Sequence, residues 1–181
     1  MFKIPKIEDA QFYFSKSMKE MEEMAIKQRD QIGERFTRSK GTAKKNPDLM
    51  RLDMRKDLEL YKIRYLNETL NRKLRKVKSF FPRFQKTQDI YLKLIDTCLS
   101  PVQEIEKALE DIESLLMELD ELTQKSEHKI KKAKSQQTVQ FIMQKYLGKL
   151  NKNVEKREES FSILKDARDF MNQLPSFKDI Y

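Results

Sequence analysis

The sequence predicts an all-α protein, an elongated antiparallel bundle of about four helices, three of them long. Three observations carry that expectation. The 181-residue chain has only three glycines, Gly33, Gly41 and Gly148, too few for the turns of a sheet protein. Apolar residues recur at spacings of three and four over long stretches, the period of one helix face. The five prolines fall between those stretches, where helices begin or end.

The first helix is expected from Glu8 to Ile32, with Ala10, Phe14, Met18, Met21 and Ala25 on one face. A basic, glycine-containing loop, GERFTRSKGTAKKN, should follow. Asn46, Pro47 and Asp48 then form a strong start signal: a cap, a residue suited to the first helical position, and a negative charge at the positive end of the dipole. This second helix should reach Phe80, carrying Ile63, Leu66, Leu70, Leu74, Val77 and Phe81 along one stripe, and Pro82 ends it.

A short apolar bridge, IYLKLIDTCL, leads to Ser100, Pro101 and Gln103, which read as a cap, a first-turn proline and the far half of a capping box. Beyond it, Val102, Ile105, Leu109, Ile112, Leu116 and Leu119 form a bundle seam on a helix expected to reach about Lys134. The last helix is expected unbroken from Gln136 to Gln173, with thin packing in its polar middle, LNKNVEKREES. The three longest helices should span about 33 to 38 residues each, or roughly 50 Å.

The residue types exclude most catalysis. One histidine, His128, lies among charges in SEHKIKKAK and reads as a surface residue. Cys98, the single cysteine, cannot form an internal disulfide and reads as a small core residue in a reducing compartment, with the cytoplasm the expected location. The carboxylates of EDIESLLMELDE lack the Glu-x-x-His partners of a di-metal bundle, so no metal site is expected and they read as a solvated face. GTAKK after Lys40 lacks the first glycine and the final Ser or Thr of a phosphate-binding loop. No run of about 18 apolar residues exists to span a membrane, and MFKIPKIEDAQ has no leader-like apolar core. No enzyme and no cofactor are expected on these residues.

The charge balance points toward polyanions. Thirty-eight Lys and Arg against 29 Asp and Glu give a net charge of +9. The second helix concentrates that excess, and Arg51, Arg55, Lys62, Arg64, Arg72, Arg75 and Lys76 are its candidate RNA contacts. Lys131 and Lys132, in HKIKKAK, are the second candidate cluster. Such side chains position phosphates without reading sequence.

Taken in order, LYKIRYLNETL, FFPRF, QDIYLKLIDTCL, HKIKKAKSQQ and YLGKL followed by EKREESFSILKDARDFMNQLP resemble the N-terminal helical domain of the nucleolar GTP-binding protein (Nog) family, the Obg-related GTPases with archaeal-type members. The family's basic-Val-Lys element is met by Lys62-Ile63-Arg64. The resemblance implies a helical domain over residues 1–175 and a junction at 176–181, the end of LPSFKDIY, opening into a GTPase domain absent from this chain. GTP and Mg²⁺ would belong to that domain. The implied role is docking onto ribosomal RNA and the pre-ribosomal large subunit during ribosome biogenesis, by a monomer that also contacts its own G domain and no membrane. The rival expectation is a free-standing helical scaffold that binds partner helices through its heptad seam.

Overall fold

The computed structural model describes residues 3–38 and 46–174. Six α-helices account for most of these residues: α1 (Ala10–Arg38), α2 (Pro47–Ser79), α3 (Asp89–Cys98), α4 (Val102–Lys132), α5 (Gln136–Glu155) and α6 (Glu158–Gln173). A 3-10 turn at Phe84–Lys86 precedes α3. The expected bundle is present, but its fourth rod is two helices, α5 and α6, and the short α3 is an addition at one end. The Pro175 boundary and the tail after it lie outside the described residues.

Side-chain pairs fix the register and show that neighbouring rods run antiparallel. Between α2 and α4, Arg64 meets Glu127, Asn71 meets Asp120 and Lys78 meets Glu113, so one number rises as the other falls. Between the N-terminal stretch with α1 and the last rod, Ile4 meets Asn172, Asp9 meets Lys165 and Gln11 meets Asn151. On the α4 side of that rod, Thr123 meets Tyr146 and Asp111 meets Ser160. One continuous core fills the centre, with Ile63, Leu66, Ile105, Ile112, Leu119, Phe161 and Leu164 fully buried.

The heptad seam of α4 is therefore satisfied inside the protein. Ile105, Ile112, Leu116 and Leu119 are buried, and Leu109 packs partly buried against them. A seam closed this way has no apolar stripe left to offer a partner helix.

Several boundaries differ from expectation for identifiable reasons. Helix α1 continues through Gly33 to Arg38, because one glycine costs only about 1 kcal/mol in a helix and buried Ile32 holds the turn in place. Residues 39–45, the remainder of the expected loop, lie outside the described residues. Asn46 caps α2 as expected, its Oδ1 accepting from the Asp48 amide at 3.0 Å.

Ser100 does not cap α4. Pro101 occupies the cap position, and Asp96 from α3 accepts the Val102 amide at 2.7 Å. Cys98, expected in the core, is exposed at the end of α3. The carboxylate-rich stretch of α4 is not merely solvated: Asp111, Glu113, Glu118 and Asp120 each bind a side chain on a neighbouring rod.

The break between α5 and α6 is held from both sides. Arg157, at φ −102° and ψ 4°, leaves helical geometry and donates to Glu118 at 2.7 Å on α4. Glu158 reaches the other way, accepting from the Ala10 and Gln11 amides of α1. Neither Pro nor Gly marks this position, which is why periodicity carried the helix straight across it. The N-terminal stretch closes along α6: the Ile4 amide donates to Asn172 Oδ1 and the Asn172 amide group returns a bond to Ile4 O, both at 2.8 Å.

Candidate nucleic-acid interface

The nine cations expected to contact RNA do not form one surface. Helix α2 turns them in different directions, and many are already engaged. Arg55 and Lys62 both bind Glu59 Oε1, at 3.0 and 3.1 Å, and Glu59 is buried. A buried carboxylate needs counter-charges, so this pair holds the fold together. Arg51 sits above them at the surface, 4.0 Å from Asp48. Together Arg51, Arg55 and Lys62 border a groove between α1 and α2 floored by Ala25, Met54 and Leu58.

On the opposite edge of α2, Arg64 forms a two-point bond with Glu127, both distances 2.9 Å, and Lys131 approaches the same carboxylate at 3.7 Å. The hydrogen bond to Glu127 raises the Arg64 pKa and lowers that of Glu127, although burial acts against both shifts. Arg64 thus ties α2 to α4, whereas Lys131 pairs with Glu127 within α4.

Arg72, Arg75, Lys76 and Lys132 are the candidates left over. All four are exposed, and none forms an ion pair with another described residue. Three of them cluster near the C-terminal end of α2. Arg72 and Lys76 are spaced i, i+4, and the same spacing rule places Tyr61 and Tyr65 on their stripe. The two tyrosine rings stack, with centroids 5.9 Å apart and planes 26° from parallel. Beside this stripe, Lys78 donates to Glu113, and that bond, helped by nearby Arg75, holds the Glu113 carboxyl below its usual pKa.

The model of the NOG1 N-terminal helical domain matches residues 18–178, most of the chain. The chain belongs to this family. It is the N-terminal domain type of the Nog1 GTPases. None of the curated proteins matches it.

In this NOG1 domain, the accessible cations can neutralise phosphates. His128 is exposed, as expected. Among the described residues no group of three or more His, Cys, Asp or Glu gathers to hold a metal ion, and no helix is long and apolar enough to cross a membrane. Sequence reasoning missed a further set of lysines on the NOG1 domain, Lys125 and Lys129 on α4 and Lys145 and Lys149 on α5, which rim one crevice. Their i, i+4 spacings were the available signal, but α5 read as a packing helix with a polar middle.

Proposed function

We propose that this domain docks a NOG1-type GTPase onto the RNA of the large ribosomal subunit during its assembly. One observation supports the reading most. Arg72, Arg75 and Lys76 extend into solvent from one end of α2 and form no ion pair with a described residue, while Arg55, Lys62, Arg64, Lys73 and Lys78 of that helix are drawn into ion pairs. Leaving such charges unpaired on a rigid helix suits a polyanionic partner. Family membership supports the ribosomal context, and the internally closed seam of α4 weighs against a scaffold that recruits helices.

In this reading the nucleotide chemistry, with GTP and Mg²⁺, resides in a G domain that these residues position, and the residues here catalyse nothing. The domain works as a monomer in the cytoplasm and belongs with the archaeal-type members. Nucleotide state alters how the bundle sits against the G domain through the Leu174-Pro175 connection. Identical bundle orientation in nucleotide-free and GTP-bound full-length protein would refute that last element.

Co-sedimentation with large-subunit particles tests the docking. The triple variant Arg72→Gln, Arg75→Gln, Lys76→Gln should lose at least about tenfold in affinity. A control removing three exposed charges from α1, Lys16→Gln, Lys19→Gln, Lys27→Gln, should lose much less. Equal losses in the two variants would reduce the effect to net charge and remove the assigned site.

A further inference from the structure

Between α4 and α5 lies a crevice of about 140 Å³, lined by Leu122, Ile142 and Tyr146. Lys125 and Lys129 stand on its α4 side, Lys145 and Lys149 on its α5 side. Each pair is separated by four residues, a rise of about 6 Å, so the crevice carries two parallel rails of positive charge. Lys125 pairs with Glu121, whereas Lys129, Lys145 and Lys149 form no ion pair with a described residue. Beyond the crevice, the α5 rail continues through Lys152 and the helix's C-cap residue Lys156, both exposed.

An aromatic ring sits on this charged face. Phe141 lines the crevice and remains 61% exposed, with Lys145 Nζ 5.4 Å from its ring centroid. Leaving a phenyl ring in water forgoes about 1.5–3 kcal/mol of burial. Lysines alone would accept any polyanion. A flat apolar ring in line with the α5 lysines adds a stacking surface, which unpaired bases can use and paired ones cannot.

We propose that the α4–α5 crevice binds unpaired RNA, with backbone phosphates along the two lysine rails and one base stacked on Phe141. The proposal builds on the RNA-docking reading of the domain, but assigns a different face and a single-stranded ligand.

Fluorescence anisotropy of the whole chain with labelled oligouridine tests it, with an RNA duplex and poly-glutamate as comparison probes. Phe141→Ala should weaken oligouridine binding about tenfold without changing the salt slope, and should leave duplex binding within about twofold. Phe141→Trp should restore single-strand binding. Lys145→Gln with Lys149→Gln should reduce the log–log salt slope by about 1.4. Because these side chains are exposed, thermal melting should not change, which checks that the variants fold. Unchanged oligouridine affinity in Phe141→Ala, or poly-glutamate bound as tightly as RNA and sensitive to the same lysines, would overturn the proposal. A protein that binds oligouridine through Phe141 yet fails to dock large subunits would sink the docking reading and leave this one standing.

Discussion

The carboxylate of Glu158, the first residue of α6, accepts the backbone amide of Gln11 at 2.8 Å in the first turn of α1. Its other oxygen takes the Ala10 amide at 3.3 Å. A helix N-terminus has orphan amides and a partial positive charge, and here a residue from the opposite end of the chain satisfies both. The break between α5 and α6 places Glu158 there, so an irregularity in one rod becomes the cap of another.

Replacing Glu158 with Ala should therefore destabilise the bundle by about 1–2 kcal/mol, more than an exposed helix-surface Glu would cost. For a domain of this size that lowers Tm by roughly 2–8 °C. Glu158→Gln, which keeps an acceptor and loses the charge, should fall between. Thermal melts followed by circular dichroism separate the three proteins, and no difference between Glu158→Ala and wild type would contradict the capping role.

Glu59 leads to a second prediction. Removing both of its cations, Arg55→Ala with Lys62→Ala, leaves a buried carboxylate uncompensated and should cost about 3 kcal/mol. Glu59→Leu should cost clearly less, because the two cations can turn to water while an apolar side chain fills the site. Glu59 Oε2 already lacks a hydrogen-bond partner, which reduces what is lost with the carboxylate. Urea titrations give the ordering, and the reverse order would contradict this account of the pair.

Alkaline pH gives a third. Tyr146 is 1% exposed, and burial pushes its hydroxyl up to about 12, against the opposing effect of the hydrogen bond with Thr123. In the unfolded chain it titrates near 10. The folded state thus holds the proton longer. Its contribution is complete below about pH 10 and is lost as pH rises toward 12, at up to about 1.4 kcal/mol per unit. Tyr146→Phe should flatten the fall in Tm between pH 10 and 11.5. Tyr13 and Tyr61, also raised by burial, should leave a smaller residual slope.

The acid side depends on Glu127. Its pKa is lowered, chiefly by the hydrogen bond from Arg64, so its contribution is present above the usual carboxylate range and disappears as pH falls through the folded value. Arg64 is 55% exposed, and screening keeps the effect below about 1 kcal/mol. Glu127→Gln should cost stability at neutral pH and converge with wild type as pH falls through the folded value, so the acid arm of its stability curve is flatter. A pH series of melts from 3 to 7 reads both arms.

The helical class and the antiparallel packing were legible because long apolar periods and proline punctuation report burial directly. Ile63, Leu66, Ile105 and Ile112 all face the core as their spacing implied. The α5–α6 break was not legible, since Arg157 and Glu158 earn their roles from partners on α4 and α1, far away in sequence. Cys98 was misplaced for a related reason: apolar neighbours in a ten-residue helix do not say which side of it is covered. The basic stretch of α2 was seen, yet sequence could not distinguish Arg72 from Arg55, because only the fold supplies Glu59 as a buried anion. The lysines around Phe141 were overlooked because they sit on two helices, and only packing brings the rows together.

The most direct test of the account is the salt dependence of binding to large-subunit RNA, compared between wild type and Arg72→Gln, Arg75→Gln, Lys76→Gln. If about four phosphates are contacted, the wild-type log–log slope should be near −3, and the variant should be shallower by about two. A flat wild-type response, or a slope unchanged in the variant, would contradict the claim that this domain docks through those side chains.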